Sequence, residues 1–303
     1  MILETGLVLE RTGSTLRVLA VGEEVTAVLR GSLKHRSERD RVVVGDWVVL
    51  DPGDETGTYG VIRTLPRRNV LERRTPDGRA SRPIAANVDQ IFVLTAVTRP
   101  DPVPQLIDRL VVIAAANEIP ACVIINKTDL GDPGPLAERM RRAGYEVFPT
   151  SARTGEGVAP VVARMAGRES ILAGPSGAGK SSLLNRIHPV LGLRTAEVSE
   201  RIQRGVNTTS AAVLIPLEDG GAVVDTPGFS DAGLWGIDPV ELGRCFPEIA
   251  DRRAGCRFDN CRHLTEPGCA IRDAVELGGI APDRYESYVV FLDELLSAPK
   301  PWE

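Results

Sequence analysis

Nine consecutive residues, Gly174, Pro175, Ser176, Gly177, Ala178, Gly179, Lys180, Ser181 and Ser182, fit the spacing GxxxxGK[ST]. They follow an apolar run, ESILA, and precede a helical pattern, SSLLNRI, which is the strand, loop and helix setting that this spacing requires. In such a loop glycines let the backbone wrap a phosphate closely, and successive N–H groups with the helix N-terminus supply positive potential. The Lys180 ammonium would reach the β and γ phosphates, and the Ser181 hydroxyl would be a ligand for Mg²⁺. A second run, GAVVDTPG, ends in Asp225, whose carboxylate would hold the metal through water while the Gly228 N–H faces the γ phosphate. Asp-Thr-Pro-Gly alone is an ordinary turn, and its partnership with Lys180 makes it informative.

A further apolar run ends in Asn126, Lys127, Thr128 and Asp129. A carboxylate there accepts both the N1–H and the N2 amine of guanine, whereas adenine offers an acceptor at N1 and no amine at C2. The mismatch would leave a carboxylate unpaired, so the tetrapeptide selects GTP over ATP. Ser151, Ala152 and Arg153, closing the next strand, are expected to present a backbone N–H to the guanine carbonyl. Between the phosphate loop and Asp225 lies the polar segment ERIQRGVNTTSAA, in which Thr208 or Thr209 is the expected second Mg²⁺ ligand. Phe229, the residue after Gly228, cannot hydrogen-bond an attacking water, so slow intrinsic hydrolysis is expected.

Three of the five cysteines crowd into CRFDNCRHLTEPGC. Cys256, Cys261, His263 and Cys269 make a Cys3His set suited to tetrahedral Zn²⁺, with no protein position left open for water, so a structural ion is expected. Zinc would staple a module that is short for a self-sufficient core. Cys122 and Cys245 are expected to be packing residues, and His188 a structural one.

The elements that must position these residues follow from pattern. Residues 2 to 65 contain LVLERT, TLRVLAV, EVTAVLR, WVVLD and YGVIRTL, short β-rich runs separated by turns, which predict a small barrel of the OB or SH3 type. From Val88 the texture becomes α/β: strands DQIFVLTAV, PACVIINKTD, YEVFPTSA and ESILAGPSG alternate with helical patterns at 103–117, 134–143 and 157–165, predicting a parallel sheet covered on both faces. Two more strands, AAVLIPL and GAVVDTPG, follow without a helix between them. A last helix is predicted over Arg284 to Ser297 with Tyr285, Tyr288, Val289, Leu292 and Leu295 on one face. The expected division is 1–83, an OB-like RNA-binding β-barrel; 84–235, a P-loop domain; and 236–303, a small helical zinc-binding domain.

The chain has 303 residues and a formal charge of −5, which hides a basic first third with 14 Lys/Arg against 12 Asp/Glu over residues 1–83. Seven arginines lie between Arg63 and Arg82, and Lys34, His35, Arg36, Arg39 and Arg41 share one polar connection of the barrel, so both are candidates for a nucleic-acid backbone. Apolar runs are far below the roughly 18 residues of a membrane helix, and no secretory leader is read at the N-terminus. A cytoplasmic monomer without a membrane partner is expected.

The base-reading NKTD and SAR precede the phosphate loop and DTPG, the reverse of ordinary small GTPases; circular permutation recovers the same sheet. With VGDWV, NVDQIF, NKTD, TSA, GPSGAGKSSLLN, NTTS, DTPGF, GLW and RYESY in this order, the sequence resembles the RsgA (YjeQ) family of small ribosomal subunit biogenesis GTPases over essentially its whole length. That resemblance implies the small subunit and its rRNA as partners, GTP and GDP as ligands, and hydrolysis stimulated by the subunit. Many members carry His just before the Thr run where this chain has Asn207, so no histidine-based role in positioning water transfers to it. Two other readings compete: an RNA-binding assembly scaffold whose affinity is set by GTP or GDP, and a P-loop kinase, which would leave NKTD without a purpose. Because the DTPG loop leads almost directly into the last domain, nucleotide-dependent movement of that loop is expected to pull on residues 236–303.

Overall fold

The computed structural model describes residues 3–31, 33, 40–52, 57–74, 81–189, 212–218, 220–226, 233–234 and 237–297. Expectations placed on Lys34, His35, Arg36, Arg39, Asn207, Thr208, Thr209, Gly228 and Phe229 fall outside these residues.

Five strands come first: β1 (Glu4–Thr12), β2 (Thr15–Ala20), β3 (Glu23–Leu29), β4 (Trp47–Asp51) and β5 (Tyr59–Thr64). They close in the order β1-β2-β3-β5-β4-β1, with β3 and β5 parallel and the other pairs antiparallel. This is the OB arrangement, which settles the choice the strand pattern left open. Alternation in β2 sends Leu16, Val18 and Ala20 inward to Val8, Ala27, Leu29, Leu50 and Val61. The Leu7-Val8-Leu9 run of β1 is buried on both faces: Val8 fills the barrel, and Leu7 and Leu9 join a core shared with the rest of the chain. Glu10 pairs with Val213, so the barrel and the central sheet are one hydrogen-bonded surface.

A hairpin of β6 (Val70–Arg74) and β7 (Ser81–Ala86) joins barrel to sheet, and β7 runs through position 83, where the sequence reading ended the first domain. Fully buried Asp46 accepts from Arg67 Nε at 2.7 Å, Arg67 Nη2 at 2.8 Å and the Val43 N–H at 2.8 Å. Arg68 pairs with Asp89 at 2.6 Å. Two arginines of the basic 63–82 stretch are therefore engaged within the joint, and the charge run overstates the cations free for a partner.

The central sheet is built from β8 (Gln90–Ala96), α1 (Pro104–Ala116), β9 (Ala121–Asn126), α2 (Gly134–Arg142), β10 (Glu146–Pro149), α3 (Val158–Met165), β11 (Glu169–Ala173), α4 (Lys180–Ile187), β12 (Val213–Pro216) and β13 (Ala222–Asp225). Its order is β10-β9-β8-β11-β13-β12, parallel except for β12, because the short β12 to β13 connection permits only an antiparallel return. Every residue of β8 is buried, as both faces are covered. Ile91 and Val93 share the core of α1 and α2, whereas Phe92 and Leu94 share that of α3 and α4.

The remaining chain holds α5 (Pro247–Ala250), α6 (Ala270–Glu276) and α7 (Pro282–Ser297), the last lying against α1. Helix α7 begins at Pro282, two residues before its predicted start, and its buried face is Arg284, Ser287, Tyr288, Phe291 and Leu292. The predicted apolar stripe therefore turns to admit Arg284, only 1% exposed, which donates to Glu248 Oε1 at 2.6 Å and to Asp108 Oδ1 at 2.6 Å. Asp108 on α1 also accepts from Arg139 Nη1 and Nη2 at 2.9 and 2.7 Å and from the Ser287 hydroxyl at 2.7 Å. Burial pushes the Asp108 carboxyl up, but the Arg139 hydrogen bonds and the Arg284 charge outweigh it and hold the group below the ordinary carboxylate value. Arg139 reaches Asp283 as well, and Arg109 grips Glu294 through two bonds of 2.9 and 2.6 Å.

Stripping one partner from a buried ionic network costs about 3–5 kcal/mol. Asp108→Ala is expected to lose that amount in urea unfolding. A second expectation concerns Glu169 at the start of β11, whose Oε2 is buried with no hydrogen-bond partner among the described residues. Burial, reinforced by the Asp89 charge and only partly offset by Arg68, pushes its carboxyl from 4.5 up to about 7. A raised carboxyl favours folding fully below pH 4.5, and that contribution is lost as pH rises through about 7. Glu169→Gln should thus unfold at higher urea than the parent at pH 8, with the gap closing towards pH 4.5.

Candidate nucleotide site and metal centre

Parallel strands deliver their carboxyl ends to one edge of the sheet, and ligands of such sheets bind there. That edge carries Asn126 at the end of β9, Ala173 at the end of β11 and Asp225 at the end of β13. The loops leaving it bring together Asn126 to Asp129, Ser151 to Arg153 and Gly174 to Ser182.

On the phosphate side Lys180 opens α4, and its ammonium folds back to donate to the carbonyls of Gly174 at 2.6 Å and Pro175 at 3.0 Å. Burial lowers the Lys180 pKa and the Asp225 charge partly restores it; burial likewise raises Asp225, partly offset by Lys180. Both groups are thus short of solvation at the carboxyl edge of the sheet, beside the N-terminus of α4. A lysine ammonium, a helix N-terminus and a carboxylate together fit an oligophosphate and its hydrated Mg²⁺. Ser181 and Ser182 are half-buried on the first turn of α4, while Ser176 and Gly177 are exposed at the loop tip.

On the opposite side Asn126 is buried and bridges two loops. Its Nδ2 donates to the Ala178 carbonyl at 3.0 Å, and its Oδ1 accepts the Ala152 N–H at 3.0 Å. Gly179 has φ +102°, and a Cβ there would fall 2.3 Å from Asn126 Nδ2, so glycine is required for the two loops to touch. Lys127 has left-handed backbone and donates to the Arg99 carbonyl, and the Thr128 N–H donates to the Thr150 carbonyl at 3.1 Å. Asp129 accepts from Ser151 Oγ at 2.5 Å and from Arg153 Nε at 2.8 Å, and these bonds hold its carboxyl below the ordinary value. It stands as an ionised acceptor.

Cys256, Cys261, His263 and Cys269 bring their ligand atoms within 4.8 Å of one another. Two Sγ to Nδ1 separations, from Cys256 and from Cys269 to His263, are 3.5 Å. A tetrahedral ion with bonds of about 2.3 Å to sulfur and about 2.1 Å to nitrogen predicts an S···N edge of about 3.6 Å. The cluster can therefore hold a metal ion. Burial raises the Cys261 thiol far above its ordinary value, with Cys269 and Cys256 adding to the effect, so a cation is what would make thiolates tenable here. Sequence reasoning missed what shapes the loop. The Tyr285 hydroxyl donates to the His263 carbonyl at 2.6 Å and the Tyr288 hydroxyl to the Arg262 carbonyl at 2.9 Å. Glu266 accepts the N–H groups of Arg262, Leu264 and Thr265 at 2.8, 2.9 and 3.0 Å. Buried tyrosines seek a partner for their hydroxyls, and that was the available signal.

The strand order with the Asn126 segment ahead of the phosphate loop, and β13 after it, defines a circularly permuted P-loop GTPase. The sequence model described as RsgA GTPase matches residues 64–235. The small ribosomal subunit biogenesis GTPase RsgA of Gemmatimonas aurantiaca is 44% identical over 299 residues, covering 96% of this chain and 97% of the relative. The protein of the same name from Thermotoga maritima is 41% identical over 284 residues, with 92% of each chain covered. Among solved structures, YjeQ from Thermotoga maritima superposes with a TM-score of 0.79 at 35% identity, covering 98% of this chain and 100% of that one. YloQ, a circularly permuted GTPase, gives 0.77 at 29% identity, covering 99% and 97%. The chain belongs to the RsgA GTPase family.

Cys261→Ser, or chelation of the parent chain, is expected to remove the bound metal by elemental analysis and to raise amide hydrogen exchange in 256–269 and α7 well above that in β2 and β3.

Proposed function

We propose that this chain is a cytoplasmic, monomeric GTPase of small ribosomal subunit assembly, binding the subunit and its rRNA and hydrolysing GTP slowly until the subunit accelerates it. The names of its Gemmatimonas and Thermotoga relatives support the setting. The observation that carries the GTP reading is the Asn126 to Ala178 hydrogen bond of 3.0 Å, which ties the base-side tetrapeptide to the phosphate loop so that one nucleotide can span both.

In this reading Asp129 reads N1–H and N2 of guanine, the Ala152 N–H faces the guanine carbonyl, and Asn126, Lys127, Thr128, Ser151 and Arg153 shape that pocket. The loop Gly174 to Ser182 wraps the phosphates with Lys180 against the β and γ oxygens. Ser181, with Thr208 or Thr209, would hold Mg²⁺, and Asp225 would hold it through water. When bound with the nucleotide, Mg²⁺ supplies positive charge against the oxygens that gain charge during transfer. Gly228 would donate to the γ phosphate. Cys256, Cys261, His263 and Cys269 would hold one structural Zn²⁺, for which three thiolates and an imidazole are the matching donors. The proposed division remains barrel 1–83 for RNA, GTPase domain 84–235 and zinc module 236–303.

The test is GTP turnover with and without purified small subunits. Slow turnover alone, rising roughly tenfold or more with subunits, is expected, and Lys180→Ala should abolish both. Asp129→Asn replaces an acceptor with a donor and should shift preference from GTP towards xanthosine triphosphate. Rapid multiple turnover by the isolated chain, or equal affinity for ATP, contradicts the proposal.

A further inference from the structure

We propose that Arg186 is a positioning residue for nucleobase recognition, bracing the 151–157 loop from the helix that follows the phosphate loop and thereby setting the preference for guanine. The inference rests on the GTP-binding reading above. Arg186 lies near the end of α4, the helix that Lys180 opens, and its Nη2 donates to the Thr154 carbonyl at 2.6 Å. The Thr154 N–H in turn donates to Ser151 Oγ at 3.2 Å, and that hydroxyl donates to Asp129 Oδ1 at 2.5 Å. A continuous hydrogen-bonded path therefore runs from the phosphate-loop helix to the carboxylate facing the base.

Apart from that path, the Ala152 bond to Asn126 and the Arg153 pair with Asp129, the bonds of the loop among the described residues are internal. The Gly155 N–H donates to the Ser151 carbonyl at 2.8 Å and the Ser151 N–H to the Glu156 carbonyl at 2.9 Å. Such a self-bonded turn can pivot as a unit unless something outside it fixes the angle. Asn126 holds its first half through Ala152, and Arg186 holds its second half through Thr154. Residue 155 is shaped for that contact: its φ is +90°, and a Cβ there would fall 2.4 Å from Arg186 Nη2. The guanidinium is directed at a backbone carbonyl and not at a carboxylate, so its bond fixes the loop's angle whatever side chain stands at 154. Loss of this brace leaves the phosphate grip intact, because Lys180 makes its contacts at the other end of α4, and frees Ser151 and Asp129 to lose their alignment on the base.

The experiment measures dissociation constants of GDP, IDP and inorganic tripolyphosphate for the parent chain, Arg186→Ala and Arg186→Lys. IDP lacks the 2-amino group that Asp129 would accept. Arg186→Ala is expected to weaken GDP roughly tenfold, in line with loss of one charge-assisted hydrogen bond, to narrow the GDP to IDP ratio and to leave tripolyphosphate unchanged. Arg186→Lys, which keeps a charged donor, should recover part of both losses. Unchanged GDP binding by Arg186→Ala, an equal loss for GDP and tripolyphosphate, or an unaltered GDP to IDP ratio overturns the proposal. A parent chain with no preference for GDP over IDP would instead overturn the GTP-binding reading itself.

Discussion

A guanidinium withdrawn from water is tolerable only where carboxylates hold it on several sides, and Arg284 is where this chain meets that condition. Its partners come from α1 and α5, and Asp108 then recruits Arg139 from α2 and Ser287 from α7. Phe246, Tyr288 and Phe291 pack around the cluster and exclude water. The carboxyl-terminal module is therefore seated on the two helices that flank β9, the strand ending in Asn126. The sequence shows the covalent attachment, through the segment after Asp225. A second attachment, on the nucleobase side of the sheet, is now evident, and Leu234 and Ile237 from the first attachment pack into the same core.

The metal centre depends on the same helix. The ligand loop of 256–269 has few apolar anchors, and Tyr285 and Tyr288 reach it from α7, one and four residues after Arg284. Helix α7 thus faces two ways, with Arg284 and Ser287 turned to Asp108 on α1 and the Tyr285 and Tyr288 hydroxyls turned to the ligand loop. Ordering of the loop and seating of the module are one packing problem.

What was legible in the sequence is what local spacing encodes. The phosphate loop, NKTD and the Cys3His set announce themselves because their chemistry needs particular residue types a few positions apart. The periods predicting helices at 103–117, 134–143 and 157–165 match α1, α2 and α3 because each buries one stripe on a fully covered sheet. Illegible were pairings whose partners are remote. Arg284 reads as a surface charge until Asp108, 176 positions away, is placed beside it. Arg67 and Arg68 read as part of a basic patch because the carboxylates they meet, Asp46 and Asp89, lie 21 residues away along the chain. The Tyr285 and Tyr288 hydroxyls were invisible for the same reason: an apolar stripe is periodic, whereas a hydroxyl's partner is not.

The seam strand has a consequence for synthesis. The barrel closes on residues up to Thr64 and can form early, yet the edge of β1 at Glu10 awaits Val213, about 150 residues after that closure. At translation rates of roughly 5–20 residues per second, that edge stands unpaired for about 7–30 s. The nascent barrel is therefore complete as a shape well before it is complete as a surface, and it is during this interval that a sticky strand most needs shielding.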